Sequence, residues 1–548
     1  MTMAADFLRS GHVDGFSRKN LPPRESWPEL RVAEAGLSYP ERLNVVSELL
    51  DSHVAAGRGD RIAIIADDLQ WSYAELAAQV NRIANVLTRD LGMVSGNRVL
   101  LRAANTPMMV AAYLAVLKAG GVVVATMPML RAGELVYPIR KAQIALALCD
   151  HGLLADLEAA RAQAPELARI VTWGDGSAGS LEMLMRKDGY EHFSAADTSN
   201  DDVCLIGFTS GTTGEPKGTM HFQRDLLIIC DCYGARVLKA SPDDRFIGSP
   251  PLAFTFGLGG LVLFPMRIGA VMVLPQKAAP ADLVDAIERH KATVSFTAPT
   301  AYRAMLDKLD GRDISSLRIC VSAGETLPKP IFDAWQTRTG IALMDGIGAT
   351  EMLHIFIAAP REAIRAGSTG IPVPGYEARI VDEAGGEVPD GTPGRLAVRG
   401  PIGCRYLADS RQAKYVLDGW NITGDTYLRD ADGYFWYQAR SDDMIISAGY
   451  NIAGPEVEAC LLMHPAVVEC GVVGAPDPER GQIVKAYVVL REGHRPDPGL
   501  VRLLQDHVKA GIAPYKYPRA IEIVAALPKT PTGKLQRFAL RQMARGER

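Results

Sequence analysis

The sequence predicts an α/β protein with a large N-terminal body of several subdomains, built from mixed sheets and helices, and a small α+β unit after it. Three observations carry that expectation. Over the first two-thirds of the 548 residues, apolar positions alternate between a helical period and short continuous runs, the pattern of helices crossing between buried, mostly parallel strands. After about residue 370 the runs shorten and are punctuated by Gly and Pro. At roughly 150 residues per domain, the length itself calls for about three or four folding units. The composition, 48% hydrophobic and 22% charged with 52 Gly and 34 Pro, excludes a disordered, collagen-like or coiled-coil chain.

Taken in order, Ser72 and Glu75 form a capping box, and Leu76, Val80, Ile83 and Leu87 mark one face of the helix that follows. Residues 98–101 read as a strand and 108–117 as a helix. Further buried strands are expected at 203–206, 271–274 and 317–321, with a helix across Pro280–His290. Shorter strands follow at 376–381, 394–398 and 434–437. The final unit has strands at 467–473 and 484–490 and a helix carrying Leu500, Leu503, Leu504 and Val508. The junction falls at 440–443, dividing the chain into 1–441 and 442–548. The apolar stretches 108–129 and 252–274 are broken by Lys118, Gly120 and Gly121 and by Pro265 and Arg267. They read as buried helix–turn–strand units and not as membrane spans.

A formal charge of -4, from 59 basic and 63 acidic residues, offers no general attraction to nucleic acid or to an anionic membrane. No signal peptide is visible. Eight cysteines at irregular positions form no disulfide framework, and Cys230 with Cys232 lacks metal-site spacing. Reduced, buried thiols and a cytoplasmic location are the expectation.

The sharpest local feature is Phe208-Thr209-Ser210-Gly211-Thr212-Thr213-Gly214-Glu215-Pro216-Lys217-Gly218. Its glycines allow tight turns, its N–H groups and hydroxyls can cradle anionic oxygen, and Lys217 adds positive charge. A nucleoside triphosphate is the natural ligand. It is not a Walker A loop, because Lys217 sits between Pro216 and Gly218. A Gly/Thr-rich stretch taken alone is more often a surface turn; the ordered string outweighs that reading. Four more motifs follow in order: Asp345-Gly346-Ile347-Gly348-Ala349-Thr350-Glu351, Thr423-Gly424-Asp425, Arg440-Ser441-Asp442-Asp443 and Pro531-Thr532-Gly533-Lys534.

Together these five resemble the adenylate-forming superfamily of acyl-CoA synthetases, luciferases and peptide-synthetase adenylation domains. The resemblance implies a β-barrel-like part within the body and a mobile C-terminal domain. It implies ATP and coenzyme A as co-substrates, Mg²⁺ as the metal, and two half-reactions: acyl-adenylate formation, then thioester formation. Lys534 would bridge carboxylate and nucleotide oxygens, Glu351 would hold Mg²⁺, and Thr212 and Lys217 would steady pyrophosphate. Thr209, Ser210, Gly211, Thr213 and Gly214 would contact the phosphates. Ala323, Gly324, Glu325, Asp345, Gly346, Ile347 and Thr350 would surround the nucleotide, Ile347 standing where many relatives have Tyr. Asp425 and Arg440 would bind ribose or phosphate. Asp442 would be the hinge, and Gly449 with Tyr450 would face the coenzyme A tunnel, near Ile446, where many relatives have Lys.

The run 345–356 and the segments 516–519 and 534–538 look like the benzoate-type aryl-CoA ligase branch. The segments 21–24 and 39–44 look closer to 2-aminobenzoate-CoA ligases. A short aryl acid is therefore expected between Phe254, Thr255, Phe256, Gly348, His354 and Ile355, with His354 available to a carboxylate or a ring substituent. For His354 a satisfied turn histidine is an equally good reading, and Phe254 and Phe256 read alternatively as core. The function expected is an aryl acid–CoA ligase for benzoate or 2-aminobenzoate. The alternatives are another aryl or short-chain acyl-CoA ligase, or a non-turnover sensor. Expected partners are the acid, ATP and coenzyme A, with no nucleic acid and no membrane; a homodimer is left open.

Overall fold

The computed structural model describes residues 7–211, 214–440, 443–447, 450–477, 480–530 and 533–546. The N-terminal body contains two large sheets with parallel interiors. In the first, strands Arg169–Trp173, Leu146–Asp150, Arg98–Arg102, Val122–Thr126 and Val203–Gly211 run parallel, and Gly214–Phe222 closes one edge antiparallel. In the second, nine-stranded sheet the interior strands Leu343–Gly348, Ile319–Ala323, Val294–Thr297, Arg245–Gly248, Val271–Val273 and Ile62–Ala66 are parallel, with antiparallel strands at both ends. Interior strands buried on both faces must be continuously apolar, which is why these runs stand out in the sequence.

The expected elements form for the expected reasons. Both bonds of the capping box are made, Glu75 N to Ser72 Oγ at 3.1 Å and Ser72 N to Glu75 Oε2 at 2.7 Å, and Leu76, Val80, Ile83 and Leu87 are buried in the main core. Helix Pro280–His290 spans the residues its pattern marks. Helix Pro107–Lys118 is apolar nearly all round because it lies deep in the main core. Lys118 ends it by reaching Asp51 and Asn81, each at 2.7 Å. The strand expected at 317–321 runs instead as Ile319–Ala323, because Leu317 is held in a turn by its N–H bond to the Ile314 carbonyl at 3.0 Å. Among the described residues no helix is long and apolar enough to cross a membrane, and the eight cysteines are free.

The expected barrel-like part takes the form of a five-stranded antiparallel sheet: Glu377–Val381, Gly394–Arg399, Trp420–Arg429, Val416–Leu417 and Phe435–Arg440. Beyond it, Val467–Asp477 pairs antiparallel with Gly481–Leu490, which pairs parallel with Ala520–Ile523. Helices Gly454–Leu462 and Pro498–Gly511 cover that sheet, burying Leu500, Leu504 and Val508 in a core of their own while Leu503 stays exposed.

Candidate active site

The phosphate motif is mostly a hairpin. Its strands run to Gly211 and from Gly214, pairing Thr209 with Lys217 and Gly211 with Gly214. Thr212 and Thr213 themselves lie outside the described residues. The buried Thr209 hydroxyl has no hydrogen-bond partner among the described residues, an uncommon state for a buried polar atom. The free edge of Gly214–Phe222 is clasped by residues 405–411. Met220 N donates to the Arg405 carbonyl and Leu407 N to the Gly218 carbonyl, both at 2.8 Å, and Arg411 donates to the Glu215 carbonyl at 2.8 Å.

This clasp brings Tyr406 between two motif residues. Lys217 Nζ donates to the Tyr406 hydroxyl at 2.9 Å, and that hydroxyl donates to Glu351 Oε1 at 2.5 Å; Lys217 and Glu351 are 3.8 Å apart. Lys217 also sits over the rings of Tyr406 and Tyr415, 4.8 and 5.6 Å from their centroids. Below them, His221 Nε2 donates to the Thr350 carbonyl at 2.7 Å. His221 Nδ1 faces Asp225 at 3.7 Å, and Asp225 is ion-paired with the fully buried Arg405. Burial pushes the Asp225 carboxyl up, but Arg405, His221 and Arg224 outweigh it and hold it down to about 2. Among the described residues both polar contacts of Glu351 use Oε1, leaving Oε2 for a cation. No group of three or more His, Cys, Asp or Glu suited to a metal exists among the described residues. One carboxylate completed by phosphate oxygens and water is how Mg²⁺ is usually held, so the residues present fit it.

Ser322 and Asp345 are register partners near the carboxyl ends of adjacent parallel strands, where open α/β sheets bind ligands. Ser322 Oγ and Asp345 Oδ1 are buried without hydrogen-bond partners among the described residues. Desolvation pushes the Asp345 carboxyl up to about 8, against the pull of the Gly346 N–H. Ala323 ends its strand, and Gly324 turns the chain away with φ +89°. A Cβ at Gly324 would lie 3.7 Å from both Cε and Nζ of Lys534. Lys534 therefore reaches this wall from the small C-terminal unit, although its side chain keeps surface exposure. Crowding by protein lowers its pKa, with Glu325 raising it and Arg440 lowering it further. Burial likewise raises Glu325. Asp425 and Arg440, cross-strand partners, are paired at 2.8 Å. Ile347 lies on the same strand as Asp345 and packs against the main core.

Phe254 caps the short helix that begins at Thr255, and Asn105 fixes the segment before it by bonding the Pro250 carbonyl and the Leu252 N–H, both at 2.9 Å. Phe256 then meets Phe296 at 5.7 Å and His354 at 5.8 Å. His354 is also flanked by Phe264 at 4.7 Å and Tyr233 at 5.5 Å. It follows a γ-turn: Leu353 has φ +66°, and His354 N bonds the Met352 carbonyl at 2.8 Å, a strained conformation. Neither ring nitrogen of His354 has a partner of good geometry. Burial pulls its pKa down to about 3, the Phe256 backbone offsetting part of this, so the imidazole is neutral. The ring is thus buried among aromatic side chains, with the Phe256 backbone as a polar neighbour. Ile355 packs against Gly346, and Gly348 closes on the His354 carbonyl.

The structure thus brings Lys217 to Glu351, and Lys534 to Gly324, Glu325 and Arg440. Asp442 and Gly449 lie outside the described residues; Tyr450 begins a short strand opposite Ser447. Sequence reasoning missed Tyr406, His221, Tyr233 and Asn105. None of the four carried a local signal in the sequence, because each meets its partner across a long separation in the chain.

The chain matches the family described as AMP-binding enzyme over residues 52–406 and the AMP-binding enzyme C-terminal domain over 456–534. It is 36% identical to the benzoate–CoA ligase of Thauera aromatica over 511 residues, covering 92% of this chain and 97% of that protein. It is similar to the crystal structure of an anthranilate CoA ligase in complex with anthranoyl-AMP, with TM-score 0.88, 36% identity and coverage of 92% and 98%. For a benzoate CoA ligase from Burkholderia xenovorans the TM-score is 0.84, at 33% identity and coverage of 91% and 100%.

Proposed function

The chain belongs to the AMP-binding enzyme family, and on that premise we propose that it joins benzoate or 2-aminobenzoate to coenzyme A, consuming ATP. The observation that carries this reading is Lys534 lying against Gly324, within the site that also gathers Glu325, Asp425 and Arg440. A carboxylate oxygen forms a bond to the α-phosphorus while the bond to the β-phosphate bridging oxygen breaks, and pyrophosphate leaves with the electron pair. Two anions must meet, so positive charge already in place lowers the barrier. The Lys534 ammonium bridges the attacking carboxylate and the α-phosphate. Lys217 and the hairpin hydroxyls, Thr212 among them, steady the departing pyrophosphate. Glu351 would hold Mg²⁺, which when bound would neutralise charge on the phosphate oxygens. Asp425 receives the ribose hydroxyls, and Asp345 with Ser322 offers hydrogen bonds to the purine.

In the second half-reaction the coenzyme A sulfur attacks the acyl carbon, its proton is lost, and AMP leaves. Lys534 has no part in that step. The body, 1–441, and the mobile unit, 442–548, turn about Asp442, and the face with Gly449 and Tyr450 replaces it. A homodimer and a cytoplasmic location belong to the same proposal.

The aromatic enclosure around His354 favours a flat ring over a flexible chain. The test is competition among benzoate, 2-aminobenzoate, hydroxybenzoates, phenylacetate and medium-chain fatty acids, read as acyl-CoA mass with AMP formation. Benzoate or 2-aminobenzoate should dominate; preference for the fatty acids would contradict the aryl reading.

A further inference from the structure

Tyr406 belongs to none of the five motifs, yet its hydroxyl touches both Lys217 and Glu351. A lysine ammonium can only donate, so the contact from Lys217 Nζ at 2.9 Å uses a lone pair of the Tyr406 oxygen. The single phenolic proton is then directed to Glu351 Oε1 at 2.5 Å. The side chain is fully buried. Gln412 Oε1 accepts from the Tyr406 N–H at 2.9 Å, Leu407 N is tied to the Gly218 carbonyl at 2.8 Å, and the ring packs edge-on against Tyr415 at 5.7 Å. The hydroxyl is held by the backbone around it and has little freedom to turn elsewhere.

Lys217 and Glu351 are opposite charges 3.8 Å apart, close enough to collapse into a direct pair. Such a pair would spend the lysine's charge on the carboxylate and the carboxylate's on the lysine, leaving both less able to serve a metal–triphosphate ligand. We propose that Tyr406 is a positioning residue for nucleotide binding: its hydroxyl spaces Lys217 from Glu351 and aims Glu351 Oε2 at the cation. This rests on the adenylating reading above, and it adds a residue through which two motifs 134 positions apart in the chain act as one unit (217 to 351).

The test is Tyr406→Phe, which keeps the ring, its packing and its cation–π contact and removes only the hydroxyl. Calorimetric titration of ATP at stepped Mg²⁺ should show the Mg²⁺ needed for half-maximal binding raised about 10-fold or more, the size expected for hydrogen bonds to charged groups. Metal-free ATP binding should weaken less. Thermal midpoint, and thioester formation from supplied acyl-adenylate, should stay at wild-type levels. In Lys217→Ala the added Tyr406→Phe change should cost less than it does alone, because the charge to be spaced is gone. Unchanged Mg²⁺ dependence would overturn the proposal. So would a loss shared equally by both half-reactions together with a lowered thermal midpoint, which marks a merely structural tyrosine. Failure of the ligase reading would show separately, as wild-type protein that binds ATP but makes no acyl-CoA from any acid.

Discussion

Asp345 shows how burial can leave a carboxyl in a candidate site without a charge. Desolvation raises its carboxyl to about 8, so it is protonated at neutral pH and can both donate to and accept from a purine edge. An acid raised in the folded state adds stability that is fully present below its ordinary pKa of 3.8 and is lost as pH climbs through about 8. The slope is at most about 1.4 kcal/mol per pH unit for one proton. Asp345→Asn should therefore flatten the fall in urea stability across that window; an unchanged pH dependence would show the carboxyl to be ordinary. His354 makes the complementary case with an imidazole kept neutral by burial. A Cβ at Gly259 would come within 2.3 Å of His354 Cδ2 and 2.8 Å of Nε2, so Gly259→Ala must displace the ring. We expect KM for the aryl acid to rise about 10-fold or more with ATP binding unchanged, at a stability cost of about 1–3 kcal/mol for overpacking. Unaltered acid kinetics would place the acyl pocket elsewhere.

At the scale of elements, the clasp of residues 405–411 on the phosphate hairpin is anchored by the buried Arg405–Asp225 pair. Removing Arg405 leaves a buried carboxylate without its partner, so Arg405→Ala should cost about 3–5 kcal/mol, and adding Asp225→Asn should recover part of it. Because Asp225 is held down to about 2 from 3.8, its contribution is present above the higher value and lost as acid takes the pH through the lower one. Chemical denaturation of the single and double variants at neutral and acid pH checks both statements. The sequence marks elements whose cause is local: the capping box at Ser72 and Glu75, and Pro280–His290 from its apolar face. It is silent where the cause is remote. Tyr406 meets Lys217 across 189 positions, and nothing in its neighbourhood announces the partner. The π-helical stretches Cys230–Leu238 and Gly259–Leu263, which carry Tyr233 and Gly259 to His354, depart from the 3.6-residue period that pattern reading relies on. Glycine and threonine at 209–214 suggested a loop, whereas cross-strand pairing carries the hairpin almost to its tip.

Over the whole molecule, the proposed site draws on both units, because the small C-terminal unit lies where Lys534 meets Gly324. The loop that presents it is closed by Thr530 N to the Lys534 carbonyl at 2.7 Å and Gly533 N to the Thr530 carbonyl at 2.9 Å. Arg537 braces its base through a two-pronged bond to Glu458 at 2.5 and 2.7 Å. The arrangement suits adenylation, where a cation must sit between two anions, and the proposed mechanism gives Lys534 to that half-reaction alone. The most direct measurement is the pair of half-reaction rates in Lys534→Ala: acid-dependent ATP–pyrophosphate exchange, and thioester formation from supplied acyl-adenylate. Exchange should fall at least about 100-fold, as for removal of a charge-stabilising group, while the thioester rate stays near wild type. Equal loss of both rates, or exchange that survives the substitution, would contradict that mechanism.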